Sequence, residues 1–336
     1  MQSQFESIIC VKRTDETSDA STFEFKKLDN SVFYYKAGQF ITFAVDVAGE
    51  LEYRAYSLAS TPSKPESISI TIKRVAGGKV SNYLLDNLQA GIGLPAMAPA
   101  GEFTLEDNLL TNEIVLFSAG SGITPCISIA RYLLDTEQAV NIHFIYSACS
   151  DKDIIMEKQL MSLHQRYDNF RVSFILEETD HEGRIKGRLN ETNFVQLVPD
   201  LKGKTIFTCG PTAYMDVLKS LLIEHDFDMQ FFHKESFVAL KNTVEEHNET
   251  ETFQIFAPQY GKSLTIKNNQ TLLEALEMAG VPIIGACRSG VCGACKCKVV
   301  GDVKSSSEAM LSAEQIKQGY VLSCSSRAYS DLVVEL

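Results

Sequence analysis

The spacing of four cysteines near the end of the chain constrains the fold more than any other feature. Four residues separate Cys287 from Cys292, two separate Cys292 from Cys295, and 28 separate Cys295 from Cys324. This C-x4-C-x2-C…C pattern is typical of a 2Fe–2S cluster, in which two tetrahedral irons need four thiolates. Three thiolates come from one tight loop and the fourth comes from a distant segment. The sequence therefore predicts that these four cysteines bind a 2Fe–2S cluster.

Other interpretations of the cysteines explain less of the pattern. Zinc sites usually show paired C-x2-C units, and this loop has only one. Nine cysteines without a recognisable secretory signal indicate a reducing compartment, which argues against disulfides and favours the cytoplasm. Cys297 fits no ligand position, and we interpret it as a packed or exposed bystander. Gly290 and Gly293 supply the positive φ angles that a tight loop needs, and their amides are expected to hydrogen-bond the sulfurs.

Length and charge narrow the class of protein. The 336 residues suit two or three domains, and 45% hydrophobic residues are enough for complete cores. The net charge of −12 argues against a nucleic-acid binder and could provide a docking face for a basic partner. No apolar run reaches the ~18 residues that a membrane-spanning helix needs, so no membrane span is expected.

Short β-type runs divided by Gly, Pro, Asp and Asn fill the first part of the chain. Many short strands in succession are typical of a small antiparallel barrel, which we predict over residues 1–108. The strands are predicted near residues 5–13, 22–27, 39–47, 51–59 and 67–74. Gly77 and Gly78 then open a short helix, whose N-terminus suits an anion.

From residue 113 the pattern changes to alternating strands and helices, which predicts a doubly wound, parallel α/β domain over residues 109–238. Ligands bind such sheets at the carboxyl ends of the strands, where residues 120–125 and Cys209-Gly210-Pro211 fall. Thr124 is predicted as the N-cap of the first helix and Pro125 as its first residue. The loop lacks the full G-x-G-x-x-G pattern, so the usual dinucleotide signature is only partly met.

The remainder of the chain reads as a linker and a third domain. Residues 239–250 are polar and aperiodic, which is typical of a linker. Residues 251–336 predict an α+β domain that opens with a hairpin. Capping boxes at Thr271 and Ser312 predict two helices, with the cysteine loop between them. Strands are predicted at residues 296–301, 320–322 and 332–335.

Taken in order, these motifs resemble the ferredoxin–NADP reductase superfamily with a plant-type ferredoxin domain fused at the C-terminus, over essentially the whole chain. The resemblance implies an FAD-binding β-barrel, an NAD-binding α/β domain and a β-grasp ferredoxin domain. Arg54-Ala55-Tyr56-Ser57 matches the R-x-Y-S flavin motif, and Gly78 to Ser81 matches the G-x-x-S motif. The resemblance places the following residues at the FAD: Arg54, Tyr56, Ser57, Leu58, Lys73, Gly78, Val80 and Ser81.

The same resemblance assigns the nicotinamide site and the polar groups around the reacting ring. Residues 120–125 match the nicotinamide-nucleotide loop, Cys209-Gly210-Pro211 matches the C-G-P motif, and Glu235-Ser236-Phe237 resembles the E-x-F end of the domain. The implied nucleotide-binding residues are Gly120, Gly122, Thr124, Pro125, Cys209, Gly210, Pro211 and Phe237. The implied catalytic residues are Ser57, Cys209 and Glu235.

The residues after the second strand of the α/β domain bear on whether NADH or NADPH is the electron donor. After the strand at residues 141–147 the chain reads Ala148-Cys149-Ser150-Asp151, without the arginine often found there in users of NADPH. Asp151 would repel a 2′-phosphate, so we predict NADH as the donor. The resulting path runs from NADH to FAD, to the 2Fe–2S cluster and on to a protein acceptor.

Three classes of function remain open from the sequence. The last segment, with the cysteine loop and residues 314–324, resembles NADH oxidoreductases that serve hybrid-cluster protein, which implies that protein as the acceptor. Reductases of multicomponent oxygenases share the same domain order and form the main alternative. A redox sensor or electron carrier without NADH turnover is a third alternative, against which the intact nicotinamide motifs argue.

Overall fold

The computed structural model describes residues 5–105, 110–237, 251–288, 290, 292–308 and 310–336. Contacts between Cα atoms divide these residues into two units. One unit holds residues up to 52 and 56–237, and the other holds residues 53–55 and the chain from residue 251 onward. The predicted linker at residues 239–250 and the predicted boundary at residue 108 lie outside the described residues.

The first domain is an antiparallel six-stranded sheet with the strand order β4-β3-β6-β1-β2-β5, in agreement with the predicted β-barrel. Its strands are β1 Phe5–Asp15, β2 Ala20–Lys27, β3 Phe40–Val47, β4 Glu50–Ser57, β5 Ile68–Lys73 and β6 Gly93–Met97. Helix α1, Lys79–Asn87, buries Val80, Leu84 and Leu85 against the barrel core. The two glycines precede this helix as predicted, and Gly77 has a φ of +69°.

The second domain is a parallel six-stranded sheet with the order β10-β9-β8-β7-β11-β12. Its strands are β7 Glu113–Ala119, β8 Asn141–Ser150, β9 Phe170–Glu178, β10 Ile185–Lys186, β11 Lys204–Cys209 and β12 Phe232–Glu235. Its helices are α2 Ile123–Asp135, α3 Glu157–Arg166, α4 Glu191–Leu197 and α5 Thr212–Glu224. Separate apolar clusters form around Leu116 and Phe117, which are successive residues of β7 and so face opposite sides of the sheet. A core on each face is what the predicted doubly wound fold requires.

The third domain is a mixed five-stranded sheet with the order β14-β13-β19-β15-β17. Its strands are β13 Thr252–Ala257, β14 Lys262–Lys267, β15 Lys296–Val300, β17 Tyr320–Leu322 and β19 Leu332–Glu335. Strands β16 Val303–Ser305 and β18 Ser326–Ala328 form a small separate sheet. Helices α6 Leu272–Met278 and α7 Ala313–Lys317 begin with the predicted capping boxes at Thr271 and Ser312.

Charge is divided unevenly along the chain. Residues 251–336 contain eight basic and eight acidic side chains, so the whole acidic excess lies before residue 251. Among the described residues, no helix is both long and apolar enough to cross a membrane.

Candidate active site

A hydrogen bond joins the flavin motif to the end of the nicotinamide domain. Ser57 is the last residue of β4 and Glu235 is the last residue of β12. The Oγ of Ser57 donates to Oε2 of Glu235 at 3.0 Å. Burial raises the pKa of Glu235 to about 8, although the hydrogen bond from Ser57 opposes that shift. The pair therefore presents a carboxyl group that can hold or release a proton near neutral pH.

Cys209 lies beside Glu235 because their strands end together. In the parallel register of β7, β11 and β12, the Cα of Cys209 aligns with that of Ser118 on one side and Glu235 on the other. Cys209 is fully buried, and burial followed by the nearby Glu235 charge raises its thiol pKa well above the ordinary value. The structure thus brings the predicted catalytic residues Ser57, Cys209 and Glu235 together, with the thiol kept protonated.

The two predicted nucleotide-binding motifs are in direct backbone contact. A Cβ added to Gly122 would lie 2.2 Å from the carbonyl oxygen of Cys209 and 2.6 Å from the nitrogen of Gly210. A Cβ added to Gly210 would lie 3.1 Å from the Cβ of Ala119. Gly120 has a φ of +54°, and its carbonyl accepts a hydrogen bond from the Tyr146 hydroxyl at 3.1 Å. Glycines are therefore needed here so that the strand ends of β7 and β11 can meet closely.

The predicted cap of helix α2 is wrong. The helix begins at Ile123 with Gly122 at the N-cap, so Thr124 and Pro125 already lie in the first turn. The hydroxyl of Thr124 donates to the carbonyl of Ser121 at 3.0 Å instead of capping the helix. Pro125 is tolerated because the first-turn amides have no partner within the helix. Both residues remain buried at the nucleotide loop, while Pro211 is the N-cap of α5 and Phe237 is half exposed.

The predicted flavin residues other than Arg54 are at least partly buried. Leu58 and Val80 belong to the barrel core, and the half-buried ring of Tyr56 packs 6.2 Å from that of Phe43 between centroids. Gly78 is the N-cap of α1, where an added Cβ would lie 2.5 Å from Oγ of Ser81. These residues form the start of α1 and the adjoining barrel wall.

The two predicted cations of the flavin site have protein partners in the structure. Arg54 is exposed and donates to the carbonyl of Tyr53 at 2.7 Å, while Lys73 pairs with Asp19 at 2.7 Å. In the described part of the chain, the buried Oδ1 of Asn82 at the start of α1 has no hydrogen-bond partner. A buried polar atom of that kind is usually satisfied by water or a ligand, which fits a cofactor bound at this helix.

An arginine that the sequence did not reveal, Arg184, directly precedes strand β10 and pairs with Asp151. Asp151 follows β8 and accepts hydrogen bonds from Thr179, at 3.1 Å, and from Arg184. Burial raises the pKa of Asp151, but these hydrogen bonds outweigh it and lower the pKa. Arg184 also pairs with Glu157 and lies over the ring of Phe174 at 5.0 Å. The guanidinium is therefore held between two carboxylates.

The four cluster cysteines approach one another. The thiol of Cys287 contacts those of Cys292 and Cys324, which raises the pKa of both, and contact with Cys324 lowers the pKa of Cys295. Within the described residues, no group of three or more His, Cys, Asp or Glu side chains is arranged to hold one metal ion. Four thiols that approach one another are the ligands that a two-iron cluster requires.

The backbone around these cysteines follows the expected pattern. Gly290 and Gly293 have φ angles of +77° and +73°, as predicted for the tight loop. The amide of Gly290 donates to the sulfur of Cys324 at 3.2 Å. Cys295 and Cys324 lie in an apolar cluster with Leu273 and Leu322, which limits water at the sulfurs. Cys297 is packed in the core of the third domain, and burial raises its pKa to about 12.

Comparison with known proteins agrees with the three domains. Residues 7–105 match the model of the oxidoreductase FAD-binding domain, and residues 116–220 match that of the oxidoreductase NAD-binding domain. Residues 257–329 match the 2Fe–2S iron–sulfur cluster binding domain. The chain is 36% identical to the glycine betaine monooxygenase reductase subunit of Pseudomonas aeruginosa, over 97% of this chain and 94% of that protein.

The chain belongs to the ferredoxin–NADP reductase superfamily, with a fused 2Fe–2S domain. This reductase is also 33% identical to the NADH oxidoreductase HCR of Escherichia coli, over 96% of this chain and 94% of that protein. The solved structure of a phthalate dioxygenase reductase matches its fold with a TM-score of 0.65 and 24% identity, covering 99% of this chain and 98% of the other. The reductase is therefore an oxidoreductase with FAD, NAD and 2Fe–2S domains.

Proposed function

We propose that this reductase passes electrons from NADH through FAD and the 2Fe–2S cluster to a protein acceptor. The observation that carries the proposal is the convergence of Ser57, Cys209 and Glu235 at the strand ends beside the nucleotide loop. When bound, FAD takes two electrons from the nicotinamide and the cluster passes them on singly. We assign residues 1–108, 109–238 and 251–336 to the FAD, NAD and 2Fe–2S domains, joined by a linker at 239–250.

The residues around the flavin hold and orient polar atoms instead of performing separate acid–base chemistry. Ser57 donates a hydrogen bond to Glu235, so the hydroxyl position depends on that carboxyl. A protonated Cys209 leaves a neutral group beside the site, which avoids a charge next to the nicotinamide. The proposed cluster ligands are Cys287, Cys292, Cys295 and Cys324, which would supply the four thiolates of a 2Fe–2S cluster.

The proposed preference for NADH is supported by the charges after β8. Residues after the second strand of such sheets lie at the adenosine ribose, where a cation is needed for the 2′-phosphate of NADPH. Here the guanidinium of Arg184 is paired with both Asp151 and Glu157. The group as a whole keeps a negative charge, which disfavours a phosphate.

Two acceptors have comparable support. The tail of the chain resembles reductases of hybrid-cluster protein, and the 33% identity to NADH oxidoreductase HCR agrees with it. The 36% identity to a glycine betaine monooxygenase reductase subunit favours the oxygenase component of a monooxygenase equally well. We place the reductase in the cytoplasm, where a reducing environment would keep the five cysteines outside the cluster motif as thiols.

Stopped-flow absorbance tests the path and the acceptor together. The purified protein is mixed anaerobically with NADH, and then with either hybrid-cluster protein or the oxygenase component of a glycine betaine monooxygenase. Flavin bleaching followed by cluster reduction supports the path, and the partner that rapidly reoxidises the cluster is the acceptor. An absence of NADH oxidation even with an artificial acceptor would contradict the proposal and favour a sensor or carrier.

A further inference from the structure

Serines outside the cysteine loop hold that loop in place. The hydroxyl of Ser307 donates to the carbonyl of Gly290 at 2.7 Å. The Ser325 hydroxyl shares its single proton between the carbonyl of Ser307, at 3.0 Å, and that of Leu322, at 3.1 Å. Ser307 follows strand β16, and Ser325 directly precedes strand β18, which pairs with β16. Neither serine belongs to the cysteine motif.

These hydrogen bonds close a ring through a cluster sulfur. The amide of Gly290 donates to the sulfur of Cys324, and Cys324 is covalently joined to Ser325. From Ser325 the ring continues to the carbonyl of Ser307, and from the Ser307 hydroxyl back to Gly290. The loop that carries three cysteines is thereby fastened to the separate segment that carries the fourth.

Gly290 is closely packed against both serines. A Cβ added to Gly290 would lie 2.7 Å from the Cβ of Ser307 and 2.9 Å from that of Ser325. Gly290 is buried, so its backbone groups need protein partners. The serines accordingly fix both the position of this residue and the direction of its amide.

We propose that Ser307 and Ser325 are positioning residues that hold the Gly290 amide on the Cys324 sulfur and thereby set the reduction potential of the cluster. An amide that donates to a cluster sulfur stabilises the more negative, reduced form, so the bond raises the potential. The same ring keeps the four thiolates close and slows loss of the cluster. This inference rests on the proposed function, in which Cys324 is a cluster ligand.

The test compares Ser307→Ala with Ser305→Ala in the full-length protein. Ser305 lies on β16, and its hydroxyl pairs with that of Ser326 at 2.7 Å, but its hydrogen bonds do not enter the ring. The midpoint potential, the electron paramagnetic resonance spectrum of the reduced cluster and the rate of cluster loss to a chelator are measured. Ser307→Ala is expected to shift the potential to more negative values and to speed cluster loss by about 10-fold, whereas Ser305→Ala is expected to match the wild type.

Two further variants guard against simple misfolding. Ser307→Thr retains the hydroxyl and Ser307→Val replaces it with a methyl group of similar size, so only the threonine variant should approach the wild-type potential. Equal behaviour of the Thr and Val variants, equal effects of Ser305→Ala and Ser307→Ala, or no effect of Ser307→Ala would overturn the inference. If the wild type itself bound no 2Fe–2S cluster, or kept an unchanged one after Cys324→Ser, the proposed function would fail instead.

Discussion

At the scale of single residues, the carboxyl of Glu235 makes the stability of the folded protein depend on pH. Its pKa of about 8 in the folded protein lies above the ordinary value of 4.5, so the folded chain keeps a proton that the unfolded chain loses. The contribution to stability is complete below pH 4.5 and is lost as pH rises towards 8. In Glu235→Gln this loss should disappear, so thermal unfolding temperatures should fall less between pH 5 and pH 8 than in the wild type.

The matched control is Glu182→Gln, which removes the same charge from an exposed position. Its melting temperature should follow the wild-type pH dependence. If Glu235→Gln and the wild type lost stability in parallel over this range, the carboxyl would not be the group that titrates.

The contact between Gly122 and Cys209 predicts a steric effect. Gly122 has an ordinary φ of −64°, so alanine would strain no backbone angle but would collide with the Cys209 carbonyl. Gly122→Ala should lower the free energy of unfolding by about 1–3 kcal/mol, as over-packing does, and raise KM for NADH.

Gly93→Ala provides the comparison for that variant, since its added Cβ would lie 3.7 Å from the carbonyl of Ile8, an ordinary contact. Chemical denaturation and NADH:ferricyanide kinetics measure both effects. Wild-type kinetics in Gly122→Ala would show that the two nucleotide motifs need not touch.

The ion pairs of Arg184 predict how the nucleotide preference can be changed. Asp151→Asn combined with Glu157→Gln removes both carboxylates from the guanidinium. Because a hydrogen bond to a charged group is worth roughly 1.5–3 kcal/mol, kcat/KM for NADPH should rise by about 10-fold or more relative to NADH. Adding Arg184→Ala should abolish the gain, and a gain that survives it would exclude Arg184 as the phosphate ligand.

At the scale of elements, the two capped helices of the third domain differ in what they bury. Helix α6 buries Leu272, Leu273, Ala275 and Leu276, whereas α7 buries none of its side chains. Thr271→Ala should therefore destabilise the domain by about 1 kcal/mol, as the loss of an N-cap does. Ser312→Ala removes the same type of cap, yet α7 can fray without exposing the core, so its effect should be smaller.

The stability of both capping variants is measured as the temperature at which the visible absorbance of the cluster is lost. Equal shifts would mean that α7 supports the cluster as much as α6 does.

Local patterns in the sequence predicted most elements but missed α4, β10, β12, β16, β18 and the interior strand β6. That strand reads Gly-Leu-Pro-Ala-Met and lies between β3 and β1. A proline inside an interior strand argues against a strand because it cannot donate to the ladder. Tertiary pairing overrides this preference here, with Pro95 opposite Ser7. The capping boxes of α6 and α7 were predictable because each depends on residues only three positions apart.

Side-chain contacts of the site could be predicted only in part. Ser57 and Glu235 lie 178 positions apart, and only the family motifs suggested that they share one site. The pairing of Asp151 with Arg184 joins positions 33 apart on different elements, so no periodicity could reveal it. The cysteine ligands were the reverse case, because their chemistry demands a recognisable spacing.

At the scale of the whole molecule, the division into two units predicts separable activities. Ser57, Cys209 and Glu235 belong to one unit, and the four predicted cluster cysteines belong to the other. Cys292→Ser should abolish electron transfer through the cluster but preserve NADH:ferricyanide activity at the flavin. Ser305→Ala is a suitable control in the same domain. Equal loss of both activities in Cys292→Ser would contradict the separation.

The neutrality of residues 251–336 bears on how the molecule meets other proteins. A domain without net charge exerts little long-range attraction, and salt screens what remains beyond about 8 Å at physiological ionic strength. Diffusional encounter with a basic acceptor would thus be steered by the acidic FAD and NAD domains and not by the cluster-bearing domain. The negative charge of the same acidic domains makes whole molecules repel one another, which opposes aggregation. Resistance to aggregation and electron delivery are therefore properties of different parts of the chain.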